Sequence, residues 1–456
     1  MIESVNPATG EVVARFRQHN DAEIERMLGI AVEAQRAWRR APMEKRLSLL
    51  LSVANELRAD SQNFAHLITE EIGKPITESL AEIEKCAVAC EFYAANAPRF
   101  LVDEQIVSNA TDSRVVFDAL GVVLAIMPWN YPFWQFFRFA APAIAAGNGA
   151  ILKHAANVPR CALSIEAMIK KAGGPDGLMQ TVLIPASDVE RIIADDRIAA
   201  VTMTGSTQVG QIVASQAGYN LKKQVLELGG SDPFIVLPDA DIATAATMAV
   251  RARFINVGQS CVNAKRFIVH EAVAEEFVTA FRKGIAALEV GDPMDPRTQI
   301  GPMARMDLCS ELHDQVVRTV AGGAQLVLGG EPMEGRGFYY APTLLDHVAP
   351  GNASFREEVF GPVASVTRCH SAEEAMTLAN DTEFGLGASV WTSDSDLARR
   401  MSRDIDAGAV FINGMVASDA RLPFGGIKKS GYGRELGGYG IREFTNIKTV
   451  WTGPAR

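Results

Sequence analysis

Along Asp21–Trp38 the apolar side chains Ile24, Met27, Leu28, Ala31 and Trp38 return every three or four positions, the period at which residues share one face of an α-helix. Comparable spacing runs on through residues 47–99, so the first hundred residues are predicted to be largely helical. Between 107 and 117 the pattern shortens. β-Branched residues interrupted by Asn109, Asp112 and Ser113 predict strands joined by a turn, an extended hairpin arm. A new rhythm starts at Gly121, where apolar runs at Val122–Met127, 150–152, 178–184 and Ile198–Thr204 alternate with helical stretches. That alternation predicts βαβ units around a parallel sheet. Ser187, with Glu190 three residues on, has the spacing of a capping box and predicts a helix start. After Gly230 the rhythm repeats, with strand-like segments at 234–237 and 267–270 and helical ones at Ile242–Phe254 and 272–288. A second α/β unit therefore follows the first.

Length and composition narrow the class. A chain of 456 residues exceeds what one hydrophobic core serves, so two large domains are expected. With 48% apolar and 21% charged residues it reads as an ordinary globular protein. Its formal charge of -10 argues against a general affinity for nucleic acid or an anionic membrane surface. Cys86, Cys90, Cys161, Cys261, Cys309 and Cys369 show neither disulfide density nor zinc-ligand spacing, which fits a reducing cytoplasm. Cys86 and Cys90 share a helix face without a histidine or acidic cluster beside them, and are expected to pack rather than bind metal. Met1 to Gly10 lacks the basic and apolar blocks of a secretory signal, and the apolar stretch 133–152 is broken by Arg138, Pro142, Gly147 and Asn148.

A few segments carry chemistry. Gly205 and Ser206 stand where the strand Ile198–Thr204 hands over to a helix, whose first turn offers unpaired N–H groups to a phosphate. The same residues also read as an ordinary helix start, and they lack the G-x-G-x-x-G fingerprint. Lys153 ends the preceding strand, where its ammonium either reaches a nucleotide or is simply solvated. Glu227 lies in an apolar run stopped by Gly229 and Gly230. Its carboxylate is either solvent-facing on an edge or held in a poorly solvated cleft with a raised pKa, where it would suit a general base. Cys261 follows the loop signal Gly258-Gln259-Ser260, although an isolated cysteine is more often a small buried residue than a nucleophile. Asn130 lies in Pro128-Trp129-Asn130-Tyr131-Pro132, just beyond a parallel strand, the end at which α/β proteins place ligands. Its amide can serve an oxyanion or merely form a turn.

Taken in order and over nearly the whole chain, these segments closely resemble the aldehyde dehydrogenase superfamily. The matching residues are Pro128-Trp129-Asn130, Gly205-Ser206, Leu226-Glu227-Leu228-Gly229-Gly230, Gly258-Gln259-Ser260-Cys261, Arg356-Glu357-Glu358-Val359-Phe360-Gly361-Pro362 and Pro423-Phe424-Gly425-Gly426. Leu228-Gly229-Gly230-Ser231-Asp232-Pro233 and Lys428-Lys429-Ser430-Gly431-Tyr432-Gly433-Arg434-Glu435 look most like its succinate-semialdehyde dehydrogenase branch.

The resemblance implies an α/β fold of two Rossmann-like parallel-sheet domains with a small β oligomerisation element. It places an NAD(P)-binding domain at 1–102 and 120–229, a catalytic domain at 230–439, and the element at 103–119 and 440–456, giving a homodimer or homotetramer. It implies that Cys261 attacks an aldehyde, that Asn130 and the cysteine N–H hold the oxyanion, and that Glu227 helps water to hydrolyse the thioester. Trp129, Lys153, Gly205, Ser206, Glu358 and Phe360 match cofactor-binding positions, for NAD or NADP. Ala156 stands where NAD-preferring relatives often carry glutamate, so nothing repels the 2′-phosphate of NADP. For succinic semialdehyde, Arg138 matches a carboxylate-binding arginine, Ile255 replaces a second one, and Ser418 and Arg421 are the candidates to replace its contacts. Glutarate semialdehyde or an uncharged aldehyde is the nearest alternative. An acylating enzyme, a non-catalytic structural protein on the same fold and a cysteine hydrolase are the rivals.

Overall fold

The protein is described here by a computed structural model that covers residues 1–453. Among these residues two large sheets dominate. The first is six-stranded, in the order Gly431–Tyr432, Lys223–Glu227, Ile198–Thr204, Val122–Met127, Gly149–His154 and Met179–Thr181. All neighbours run parallel except Gly431–Tyr432, which joins antiparallel from much later in the chain. The second is seven-stranded, in the order Gln325–Leu328, Thr343–Asp346, Val363–Cys369, Ala264–His270, Asp232–Val236, Gly387–Trp391 and Ala409–Ile412. It too is parallel apart from its Gln325–Leu328 edge.

The strand Val122–Met127 is buried at every position, as expected for a central strand covered on both faces. The apolar period of 21–38 becomes a helix over Asp21–Trp38 whose face Ile24, Leu28, Ala31 and Trp38 is buried. Its start is a capping box, with Asn20 accepting from the Glu23 N–H at 3.0 Å and Glu23 accepting from the Asn20 N–H at 2.9 Å. Met43–Ala59, Ser61–Ile72 and Ile76–Phe100 follow as helices.

Three local expectations are corrected. The first twenty residues are not helical but form an antiparallel pair, Ile2–Asn6 with Glu11–Phe16. Gly10, at φ +75°, takes the left-handed turn position that a side chain disfavours, and Ile2 and Ser4 alternate inward. Ser187 does not cap a helix: the chain enters Val189–Ala194 through a 3₁₀ turn, and the serine hydroxyl bonds the Asp188 carboxylate instead. The hairpin is shifted, pairing Glu104–Gln105 with Asp112–Ala119. Its long strand gains a second neighbour, Thr445–Thr452, in register along its whole length from Ala119 opposite Thr445 to Asp112 opposite Thr452.

Candidate active site

Gly229 and Gly230 link the end of Lys223–Glu227 in the first sheet to the start of Asp232–Val236 in the second. The loop before Ala264–His270 is folded against this link: a Cβ on Gly230 would lie 2.7 Å from the Cys261 carbonyl oxygen. The site therefore sits where the two sheets meet.

The Cys261 loop is held in a costly shape. After the helix Ile242–Phe254, Asn256 (φ 54°), Val257 (φ 56°) and Gly258 (φ 69°) are successively left-handed. For a β-branched valine such a conformation costs on the order of 1–3 kcal/mol. Hydrogen bonds with three other segments fix it. The Glu78 carboxylate accepts from the Asn256 N–H at 2.7 Å, and the Asn256 amide donates to the carbonyls of Asn130 and Gln259 at 2.9 and 3.1 Å. The Gln259 side-chain oxygen accepts from the Ala304 N–H at 3.0 Å. A Cβ on Gly258 would stand 2.2 Å from the Gly361 carbonyl, so only glycine fits there. Cys261 emerges half-buried, whereas the other five cysteines are buried, and all six are free. Burial pushes its thiol up to about 11, against the pull of the Arg138 and Lys265 cations.

Asn130 is buried behind this loop, donating one amide proton to the Gln259 carbonyl at 3.0 Å. A primary amide carries a second proton, which remains for an oxygen at the site. Glu227 ends its strand in full burial with neither carboxylate oxygen hydrogen-bonded. Of the two environments left open by the sequence, it occupies the poorly solvated one. Burial raises its pKa well above the ordinary carboxylate value, and the negative Glu435 nearby raises it further, while Arg138 and Arg434 oppose.

Of the residues matched to cofactor binding, Trp129 and Lys153 stand at or just beyond the ends of first-sheet strands, Gly205 and Ser206 at a helix start, and Glu358 and Phe360 in the loop before Val363–Cys369. Ser206 caps the helix Thr207–Tyr219, accepting from the Val209 N–H at 3.4 Å, and the Gly205 N–H is taken by the Glu227 carbonyl at 3.0 Å. Glu358 accepts from the Gly230 N–H at 3.0 Å, and a Cβ on Gly229 would meet its other oxygen at 2.4 Å. Phe360 stands edge-on to Trp129, with centroids 5.8 Å apart at 85°. Lys153, at the end of Gly149–His154, makes no hydrogen bond or ion pair among the described residues, and burial lowers its pKa. Its unpaired ammonium and the first turn of the helix Thr207–Tyr219 suit the hydroxyls and phosphates of a dinucleotide. Ala156 lines a small hollow with His154 and Pro159 and brings no carboxylate to it.

Beside Cys261 opens a cavity of about 180 Å3 lined among others by Tyr131, Trp134, Arg138, Ile255, Ser418 and Phe424. Arg138 is buried, ion-paired with Glu435, donating to the Thr204 hydroxyl at 3.2 Å, and lying 4.6 Å over the Phe424 ring. Arg421 is not part of it: its guanidinium turns outward to Asp419, bonded at 2.8 Å. The two-residue spacing lets that exposed pair close within its own loop.

Lys85, Glu78, Lys265 and Glu435 belong to the site but carry no motif of their own. Glu435 alone stood within a quoted run, Lys428 to Glu435. Glu78 and Lys85 lie seven apart on the helix Ile76–Phe100, with Ala81 and Glu82 between them at helical spacing, and all four line the cavity. That polar stripe at a core-facing period was the available signal. Cys86 and Cys90 are buried as expected, and no cluster of metal-ligating side chains occurs among the described residues.

The comparison with known proteins decides the family. Residues 1–450 match the model of the aldehyde dehydrogenase family. The chain belongs to the aldehyde dehydrogenase family. This aldehyde dehydrogenase is 50% identical over 450 residues to a protein of Synechocystis named "Probable succinate-semialdehyde dehydrogenase", NADP(+), covering 99% of each chain. It is 49% identical over 448 residues to the NAD(P)+ succinate semialdehyde dehydrogenase of Escherichia coli, covering 98% of this chain and 97% of that one. Among solved structures it superposes on the succinic semialdehyde dehydrogenase of Streptococcus pyogenes in complex with NADP+, with a TM-score of 0.97 and 36% identity over the full length of both. The expected architecture of two parallel-sheet domains with a small β element is that of this aldehyde dehydrogenase. No helix among the described residues is long and apolar enough to cross a membrane.

Proposed function

We propose that this aldehyde dehydrogenase oxidises succinic semialdehyde to succinate, with NADP or NAD as acceptor, through a covalent intermediate on Cys261. The observation that carries the reading is a half-buried thiol lining one small cavity, with the Asn130 amide bonded to the Gln259 carbonyl of the same loop and the unpaired carboxylate of Glu227 near enough for its charge to act on the thiol. The names of its relatives in Synechocystis and Escherichia coli point to the same substrate.

The Cys261 sulfur forms a bond to the aldehyde carbon as its proton departs, and the carbonyl oxygen becomes an oxyanion. Asn130 and the Cys261 N–H donate to that oxyanion, the role in which fixed donors contribute most because they need no reorganisation. Lys153, Gly205, Ser206, Glu358, Trp129 and Phe360 would hold the cofactor. The chemistry supplied there by NADP or NAD, when bound, is hydride acceptance, which converts the thiohemiacetal to a thioester. Glu227 then takes a proton from water as the water oxygen bonds to the acyl carbon, the C–S bond breaks, and the carboxylate leaves with Cys261 restored. Overall one aldehyde, one water and one oxidised cofactor give one carboxylate, one reduced cofactor and two protons.

The first-sheet unit, 1–102 with 120–229, is the NAD(P)-binding domain in this reading, and 230–439 is the catalytic domain. The segments 103–119 and 440–456 join subunits in a homodimer or homotetramer, their last three residues lying outside the described ones. The exposed Ile106, Val107, Ile447, Val450 and Trp451 give that element apolar side chains to cover. Six free thiols support a cytoplasmic setting.

The test is to mix enzyme, succinic semialdehyde and NADP+, quench during turnover and map acyl adducts by mass spectrometry. A succinyl group on the peptide carrying residue 261 is expected, absent from Cys261→Ala. No adduct at that peptide, or a faster kcat/KM for butanal than for succinic semialdehyde, overturns the reading.

A further inference from the structure

Arg138 reaches the cavity with its charge already compensated: the buried Glu435 carboxylate pairs with it, Thr204 takes one of its donors, and Phe424 covers its face. A bound carboxylate would have to compete with Glu435 for it. Ile255, also in the lining, brings no charge. Glu82 is engaged by Lys74 and by the N–H groups of Phe133 and Trp134, and Glu78 by the N–H of Asn256.

Lys85 differs from all of these. It projects from the helix Ile76–Phe100 into the same cavity, donates to the Ser418 hydroxyl at 2.7 Å and lies 4.3 Å over the Trp134 ring. No carboxylate among the described residues is within ion-pair distance of it, although Glu82 and Asp419 act on it from further away. An ammonium has three donors, and Ser418 satisfies one. Because Ser418 accepts from Lys85, its own O–H is left to donate. Burial and the Arg138 charge lower the Lys85 pKa to about 8, the signature of a cation short of a counter-charge.

We infer that Lys85, together with Ser418, is the seat of the distal carboxylate of the aldehyde acid, and that Arg138 positions the cavity wall rather than carrying that charge alone. The inference rests on the proposed oxidation of an ω-carboxylated aldehyde. It names the group that sets this specificity. The ammonium and the hydroxyl would both donate to one carboxylate, while Cys261 lines the same cavity for the aldehyde end. An uncharged aldehyde of the same length would leave the ammonium buried and unpaired, which disfavours it.

The test compares kcat/KM for succinic semialdehyde and for butanal, the uncharged four-carbon analogue, in the full-length enzyme with NADP+. In Lys85→Met the ratio of the two is expected to fall by about tenfold or more, through KM for the acid, with Lys85→Arg recovering most of it. Ser418→Ala, a smaller change at the other end of the same hydrogen bond, should lower the ratio in the same direction and serves if Lys85→Met does not fold. A ratio within about twofold of wild type in Lys85→Met and Ser418→Ala, including an equal loss on both aldehydes, overturns the assignment. Wild type that prefers butanal sinks the proposed substrate instead, a distinct outcome.

Discussion

Lys265 donates from its buried ammonium to the carbonyl oxygen of Cys261 at 2.6 Å, and to that of Ser260 at 2.9 Å. The Cys261 backbone is thus tied to the start of the strand Ala264–His270. The same ammonium lies 3.5 Å from Glu358, so one lysine joins the thiol loop to the carboxylate that also accepts from the Gly230 N–H. Lys265→Met strips two buried carbonyls of their donor and removes a cation that favours the thiolate. The expected outcome is a lower melting temperature by calorimetry, together with slower alkylation of Cys261 at pH 8 than in wild type.

Because burial holds the Cys261 thiol at about 11, only a small fraction is thiolate near neutrality. The thiolate is the reacting form, so alkylation of the free enzyme by iodoacetamide should speed up about tenfold per pH unit between roughly pH 7 and 9. Peptide mapping should place the label at Cys261, since the other cysteines are buried. A rate that is flat over this range would mean a thiol already ionised.

Asn130→Ala removes the side-chain donor and also the bond to the Gln259 carbonyl that helps fix the loop. Loss of one oxyanion donor costs roughly 10²–10³ in kcat. Initial rates with succinic semialdehyde should fall in that range while cofactor binding, followed by fluorescence, persists.

Glu227 must be ionised to accept a proton, and its raised pKa moves that ionisation upward from the carboxylate range. Hydrolysis of the acyl enzyme should therefore accelerate with rising pH until the carboxyl is deprotonated. In Glu227→Gln the rise should vanish, and stopped-flow absorbance should show a burst of reduced cofactor followed by slow turnover.

Glu435 is the counter-ion of a fully buried arginine. Glu435→Gln leaves Arg138 uncompensated, at a cost of roughly 3–5 kcal/mol. The melting temperature should fall clearly, and the double variant Arg138→Met/Glu435→Gln should regain part of the loss.

Long periodic segments such as Asp21–Trp38 and the strands Val122–Met127 and Ile198–Thr204 were legible, because a helix or central strand writes its burial into the apolar spacing. The first twenty residues were not, since short edge strands with exposed faces leave only a weak pattern. Of the site, the residues within motifs were named in advance, whereas Lys85 and Lys265 were missed. Each acts by meeting a group that is distant in sequence, Ser418 for one and Glu358 for the other. A lysine's pairing partner leaves no trace in local spacing. Arg421 shows the converse: its charge was visible, but its immediate capture by Asp419 is a matter of loop geometry.

The strand Asp112–Ala119 is completed by Thr445–Thr452, which comes later in the chain than every strand of either large sheet. During synthesis this flank must therefore wait, with its hydrogen-bonding edge uncovered, until that late segment has left the ribosome. Its arrival, rather than the making of either large sheet, is the event that seals the edge.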